Sequence, residues 1–326
     1  MQSFTRTDGR DPLVVFTDRE VPNPEPNQAL VGVAAYSVNR SEIYALQKPV
    51  PDIPGEDIAG QVIVGAVDGT GPRPGQRIVA HLPSGGWARY AAVNTADLAV
   101  LPDYIAYSVA AALPLDGITA IRLLRIAGRL ISRRVLITGG SGRAANYFIE
   151  LAAGAGAEVT VVSATPEQGR RFIELGADMV IADASSAAGT FDLVLDSAGG
   201  TSVPAVLAHL APNGTLIWLR NASHEPVPLD LFTRPDNAKI RYFDRTDLTP
   251  PFGPDLTTLV ALVATGRLHP EIGRLKDWAA TPSILAELRD RRIVGSAVLT
   301  LSQGLKHALA LDLTPGSGPG RSAHLG

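Results

Sequence analysis

From Leu136 to Ala152 the chain reads "LITGGSGRAANYFIELA": an apolar run of strand length, a glycine turn, then apolar residues at helical spacing. This feature constrains the fold more than any other, because the same alternation continues downstream. "EVTVVS", "DMVIA", "FDLVLDSAG" and "GTLIWLR" have strand character, and "PEQGRRFIELG" and "SVPAVLAHLA" between them have helical spacing. "IRYFD", Ile240 to Asp244, is a sixth candidate strand. Strands alternating with helices at this spacing imply a parallel, doubly wound α/β sheet.

The segments on either side follow other patterns. Up to about Asp103 they are short, rich in valine and broken by proline and glycine, as in "LVVFT", "QALVGVAAYSV", "IAGQVIVGAV" and "QRIVAHL", which points to a compact β unit. "LPDYIAYSVAAALPLDGITAIRLLRIAGRL" has helical spacing. Beyond Pro250, helices are expected near "LTTLVALVATG" and "SILAELRDRR", and a strand at "SAVLTL", all returning to the first unit. The glycine- and proline-rich end, 313–326, reads as a disordered tail.

Composition narrows the function classes. At 326 residues, 45% hydrophobic and 19% charged, the chain can bury a large core and accommodate two domains. A net charge of -3 with scattered basic residues argues against nucleic acid and anionic membrane surfaces as partners. No cysteine is present and the six histidines lack close ligand spacing, so no metal is expected. No apolar run reaches the roughly eighteen residues of a membrane span, and the N-terminus lacks a signal-peptide core; the expected location is the cytoplasm.

Within the glycine turn, Gly140-Ser141-Gly142-Arg143-Ala144-Ala145 fits the dinucleotide fingerprint G-x-G-x-x-G/A between strand and helix. Gly140 serves the tight turn, Gly142 the approach of a pyrophosphate, and Ala145 close helix packing. Gly140, Gly142, Arg143 and Ala144 are the candidate contacts at the helix N-terminus. Arg143 is unusual in a phosphate-cradling loop: its guanidinium either meets the pyrophosphate or fills its space. At the end of the next strand, where NAD sites carry an acid, stands Ser163, with Arg170 and Arg171 in the following turn. This favours the extra phosphate of NADPH, with Arg170 as its contact; the alternative is that both arginines only solvate a helix start.

The ordered pieces "YSVNRSEIYAL", "PGEDIAG", "PGQRIVA", "GGWARYAAV", "AAALPLDGITAIRLL", the glycine turn, "DSAGG", "LAPNGTLIWL", "GRLHPEIG" and "GSAVL" resemble the zinc-independent quinone oxidoreductase branch of the medium-chain dehydrogenase/reductase superfamily. The resemblance implies a GroES-like β domain, 1–116 and 245–312, with a Rossmann domain, 117–244, inserted into it. It also implies a cofactor in the cleft between the two, a homodimer formed through the outer sheet edge, and reduction of quinones, enones or enoyl thioesters with NADPH.

The chain departs from the pattern of that family. Arg143 replaces a glycine of the turn. Arg220, followed by Asn221 as a further cofactor candidate, stands where glycine is usual near the nicotinamide. By alignment with zinc-dependent relatives, Asn39, Glu56 and Asp116 occupy the zinc-ligand positions, a poor donor set for zinc. All three are expected to face the cleft. Tyr44 and Tyr36 lie near Asn39 by analogy, either able to donate to a substrate carbonyl or to pack. The natural partners of Arg220 are Glu56, Asp57 and Asp116, so these acids are either ion-paired or catalytic.

Two functions follow. One is an NADPH-dependent reductase of an electron-poor alkene or quinone, with Asp116, Glu56, Asn39, Tyr44 and Arg220 as catalytic candidates. The other is a non-redox cyclase, dehydratase or isomerase on the same scaffold, using Glu56 and Asp116 as acid and base. Asp196, ending the strand in "DSAGG", is expected to cap the following turn.

Overall fold

The structure is a computed structural model describing residues 1–7, 11–47, 53–139, 142–219, 225–227 and 235–301. Strands β1 (Gln2–Arg6) and β2 (Val14–Asp18) form an antiparallel pair. They carry Phe4 stacked on Phe16, with Trp278 edge-on to both. Strand β3 (Gln28–Val38) is followed by helix α1 (Arg40–Leu46), then β4 (Asp57–Val64), β5 (Arg77–His81), β6 (Tyr90–Asn94) and β7 (Leu98–Val100).

Strand β3 is buried almost throughout, which explains why its sequence is a continuous apolar run rather than an alternation. It pairs with both β4 and β6, and glycine is required where β3 and β4 press together: a Cβ on Gly60 would lie 2.2 Å from the Gly32 carbonyl oxygen.

The helical stretch expected within Leu101 to Leu130 is broken in two. Helix α2 (Tyr107–Ala111) ends and α3 (Pro114–Ala127) begins at Pro114, whose missing N–H is tolerated in a first turn and not in a helix interior.

The alternating half follows: β8 (Arg134–Thr138), α4 (Arg143–Gly154), β9 (Glu158–Val162), α5 (Pro166–Glu174), β10 (Met179–Ile181), β11 (Phe191–Asp196), α6 (Ser202–Leu207), β12 (Leu210–Trp218) and β13 (Lys239–Tyr242). These six strands form one parallel sheet in the order β10-β9-β8-β11-β12-β13. The order reverses between β8 and β11, the switch point at whose carboxyl end such sheets bind ligands.

After α7 (Gly253–Ala264) the chain returns through β14 (Ile272–Asp277), α8 (Thr281–Arg289) and β15 (Ser296–Thr300). β14 and β15 complete a seven-stranded sheet in the order β14-β15-β3-β4-β5-β7, with β6 on β3. The fold is thus an α/β architecture with a mainly antiparallel β unit and a parallel doubly wound sheet.

A single apolar cluster runs from Ala35, Ala59 and Val79 of the first sheet, through Leu113, Ile118 and Leu123, to Val135 and Ile137 of the second. The two sheets therefore share a core through α2 and α3, and the cleft opens beside this joint. The tail 313–326 lies outside the described residues.

Candidate active site

The site begins where β8 meets α4. Gly139 has φ of +63°, and a Cβ there would sit 2.3 Å from Ser197 Oγ, so only glycine fits this corner. The tight turn thus involves Gly139, one residue before the glycine that the fingerprint nominates; Gly140 and Ser141 lie outside the described residues. Gly142 is the N-cap of α4 and supplies no side-chain cap, while a Cβ on it would meet nothing nearer than 3.9 Å. The N–H groups of Arg143 and Ala144 belong to the first turn, which has no intrahelical acceptors to offer them. Ala144 and Ala145 are buried, with Ala145 turned into the core.

From that first turn the Arg143 side chain crosses to the β unit. Its Nε lies 2.7 Å from Asp116 Oδ2, and Nη2 donates to Asn39 Oδ1. Asp116 is in the first turn of α3 and Asn39 is the N-cap of α1. The ion pair is largely withdrawn from solvent, with side-chain exposures of 17% and 10%. This resolves part of the partner question left open by the sequence: the guanidinium that engages Asp116 is Arg143, and Arg220, with Asn221, lies outside the described residues.

Asn39 connects to a second group. Its Nδ2 donates to Asp57 Oδ2 at 2.8 Å, and Ser37 Oγ donates to the same oxygen at 3.0 Å. The other Asp57 oxygen lies 2.7 Å from His81 Nδ1. These two residues face each other directly across β4 and β5, and both are buried. Burial pushes the Asp57 carboxyl up, but the hydrogen bond from His81, its charge, and the Asn39 and Ser37 donors outweigh that and hold it below its ordinary value. Burial likewise pushes the His81 imidazole down, and Asp57, with the more distant Glu56 and Asp97, carries it above the ordinary 6.5. A continuous chain of contacts thus runs His81, Asp57, Asn39, Arg143, Asp116.

Helix α1 is held by a second carboxylate. Glu42 Oε2 accepts from the Asn39 N–H at 2.7 Å and Oε1 from the Glu56 N–H at 3.1 Å. Burial first, then the neighbouring Glu56, raise the Glu42 carboxyl well above its ordinary value.

Two open spaces flank Ser41 and Leu115, which line both. One, of about 550 Å³, is bounded by Gly142, Arg143, Arg40 and Asp116. The other, of about 870 Å³, is bounded by Glu56, His81, Thr119, Leu219, Tyr242 and Asp244. The first adjoins the N-terminus of α4 and two arginines, a donor set suited to a pyrophosphate. The second lies beyond the carboxyl ends of β12 and β13.

The remaining candidates fall as follows. Glu56 lines the larger space; Asn39 and Asp116 are joined through Arg143. Tyr44 is exposed on α1. Tyr36 is not at the cleft: it is fully buried, stacked on Trp87 and bonded to Thr281, because its strand position points into the β core. Ser163 is buried and donates to the Thr165 carbonyl. Arg170 is exposed beside Glu167, whereas Arg171 lines a recess with Arg143 and Glu271. Asp196 accepts from Thr138, Ser202 and the Gly199 N–H, closing the turn after β11. Sequence reasoning missed His81 and Asp57 as a pair. The available signal was a polar residue at the facing ends of two apolar strands, "EDIAG" and "RIVAH".

Residues 25–103 match the alcohol dehydrogenase GroES-like domain family, and residues 175–299 match the zinc-binding dehydrogenase family. A chloroplast envelope quinone oxidoreductase homolog of Arabidopsis thaliana is 29% identical over 60% of the chain and 67% of its own length. A 2-methylene-furan-3-one reductase of Solanum lycopersicum is 29% identical over 60% of the chain and 56% of its own length. The chain thus spans little more than half the length of that second relative. The Escherichia coli quinone oxidoreductase complexed with NADPH superposes with a TM-score of 0.79 at 19% identity, over 92% of this chain and all of the other.

These matches and the two sheets define an oxidoreductase architecture. The chain belongs to the medium-chain dehydrogenase/reductase superfamily, in its zinc-independent quinone oxidoreductase-like branch. Among the described residues no group of three or more His, Cys, Asp or Glu side chains is arranged to hold a metal ion, and no helix is long and apolar enough to cross a membrane.

Proposed function

We propose that the protein is an NADPH-dependent oxidoreductase that reduces a small electron-poor alkene or quinone. The observation that carries this reading is the uncapped N-terminus of α4, at the sheet's switch point, opening on a space lined by Arg40 and Arg143. When bound, NADPH supplies a hydride. Gly142, Arg143 and Ala144 hold its pyrophosphate, with Gly140 and Asn221 as further contacts, and Ser163 with Arg170 or Arg171 serves the adenosine end. The absence of an acid at the end of β9 favours NADPH over NADH.

The larger space receives the substrate, among Glu56, His81, Thr119 and Tyr242. The names of the two curated relatives, a quinone oxidoreductase homolog and a furanone reductase, support this substrate range. In this reading 117–244 is the cofactor unit, 1–116 with 245–312 the substrate unit, and the protein works as a cytoplasmic homodimer. The non-redox alternative gives Asp116 an acid/base role, and its ion pair with Arg143 favours a binding role instead.

Fluorescence titration with NADPH and NADH tests the proposal. Binding of NADPH at least tenfold tighter is expected, a gap of about 1.4 kcal/mol. No binding of either nucleotide at millimolar concentration rejects it.

A further inference from the structure

We propose that His81, held by Asp57, is the proton donor to the α-carbon of a carbonyl-conjugated alkene, which makes an enone or enoyl compound the substrate class. The proposal rests on the oxidoreductase reading above. His81 lines the larger space, with its side chain 10% exposed. Its Nδ1 faces Asp57 Oδ1, and its ring meets the Phe252 ring edge-on at 4.7 Å. Among the described residues Nε2 has no hydrogen-bond partner, so the ring is fixed at one nitrogen and available at the other. Asp57 is itself fixed by Ser37, Asn39 and the Leu115 N–H, so it acts as a positioning residue that keeps a proton on Nδ1. The acids Asp57, Glu56 and Asp97 act on His81 and Asp244 lines the same space, while the Arg122 guanidinium lies 5.2 Å from the centre of the Phe252 ring that His81 meets. Asp57, Glu56 and Asp97 favour the cationic imidazole that an acid requires.

The chemistry balances as follows. When bound, NADPH would supply the hydride for the β-carbon of the alkene, becoming NADP⁺, and the carbon-carbon π pair would move to form an enolate. The enolate carbonyl re-forms as its α-carbon takes the proton from His81 Nε2. The imidazole, left neutral with its proton on Nδ1 and hydrogen-bonded to Asp57, takes up a proton from solvent at Nε2 to regain its charge. A hydride-reduced quinone places its charge on oxygen, which water protonates without help. Protonation at carbon is slower and benefits from a placed acid.

The test uses the full chain and H81Q, with 3-penten-2-one and 1,4-benzoquinone as probes. The expected result is unchanged NADPH affinity by fluorescence and a loss of about 100-fold in kcat on the enone, at least tenfold greater than any loss on the quinone. Wild-type kcat on the enone should fall as pH rises above 6.5, and this limb should vanish in H81Q. An H81Q protein that keeps the wild-type enone kcat and pH profile overturns the proposal.

A readout without turnover is the imidazole NMR titration, in which the resonance missing from H81Q belongs to His81. It should titrate above 6.5 and move down in D57N; titration at or below 6.5 in the wild type removes the acid. Failure of the wild type to bind NADPH rejects the oxidoreductase reading itself, whereas normal binding with an indifferent H81Q rejects only the role of His81.

Discussion

Arg143 replaces a small residue with a guanidinium that satisfies two partners on another unit, and its removal leaves both exposed to their own desolvation. In R143A, Asp116 stays buried without its cation and Asn39 Oδ1 loses a donor. A loss of about 3 kcal/mol in urea unfolding is expected. R143K should recover only part of it, because a single ammonium cannot reach both acceptors with the planar fork. Asp116→Asn should also lower stability while leaving turnover per folded molecule nearly unchanged. A stable but inactive D116N would return Asp116 to acid/base work. The sequence placed Asn39 and Asp116 together and named Arg220 as the cation to meet the acids; in the structure Arg143 joins Asn39 to Asp116, and Arg220 lies outside the described residues. Which arginine arrives depends on where the first turn of α4 points across the joint, and local sequence carries no such information. The pairing of Asp57 with His81 was hidden for a related reason: it depends on the register of β4 against β5.

At the scale of elements, helix α1 shows how a short segment is held by one carboxylate. At seven residues it is too short to persist on its own propensity, and Glu42 closes its start by accepting from Asn39 N–H while also tying down the Glu56 N–H. Glu42→Gln turns an NH₂ group toward one of these donors. A loss of about 1–3 kcal/mol is expected in chemical denaturation, with the position of Glu56 disturbed. A variant as stable as wild type would show that α1 is anchored elsewhere. The strands and helices of the parallel sheet were legible because their apolar periods differ, and "FDLVLD" or "RVLIT" has no competing helical reading. Helix α1 and strand β14 were not, since "RSEIYAL" and "IGRLKD" are short, and β14 is largely exposed.

For the whole molecule, the buried dyad sets a pH window of stability. The Asp57 carboxyl is depressed below 3.8, so its contribution is present above that pH and lost as pH falls through its folded value. The His81 imidazole is raised above 6.5, so its contribution is complete below 6.5 and lost as pH rises through its folded value. Tm should therefore fall on the alkaline side of 6.5 in the wild type, and the fall should be shallower in H81Q. Identical alkaline slopes would mean that the dyad does not couple to global unfolding. The fold class was legible at this scale because the order of motifs along the chain is itself distinctive. The cleft's wiring was not, because it links residues more than a hundred positions apart, such as Asn39 and Arg143.

The chain of contacts from His81 to Asp116 also bears on inheritance. One member, Arg143, grows from the glycine turn, while the other four belong to strands and helices encoded before that turn. A turn transplanted from a relative with glycine at position 143 would leave Asp116 and Asn39 behind as orphans. These positions form a module that must be exchanged as a set, and a chimera joined between α3 and β8 would sever it.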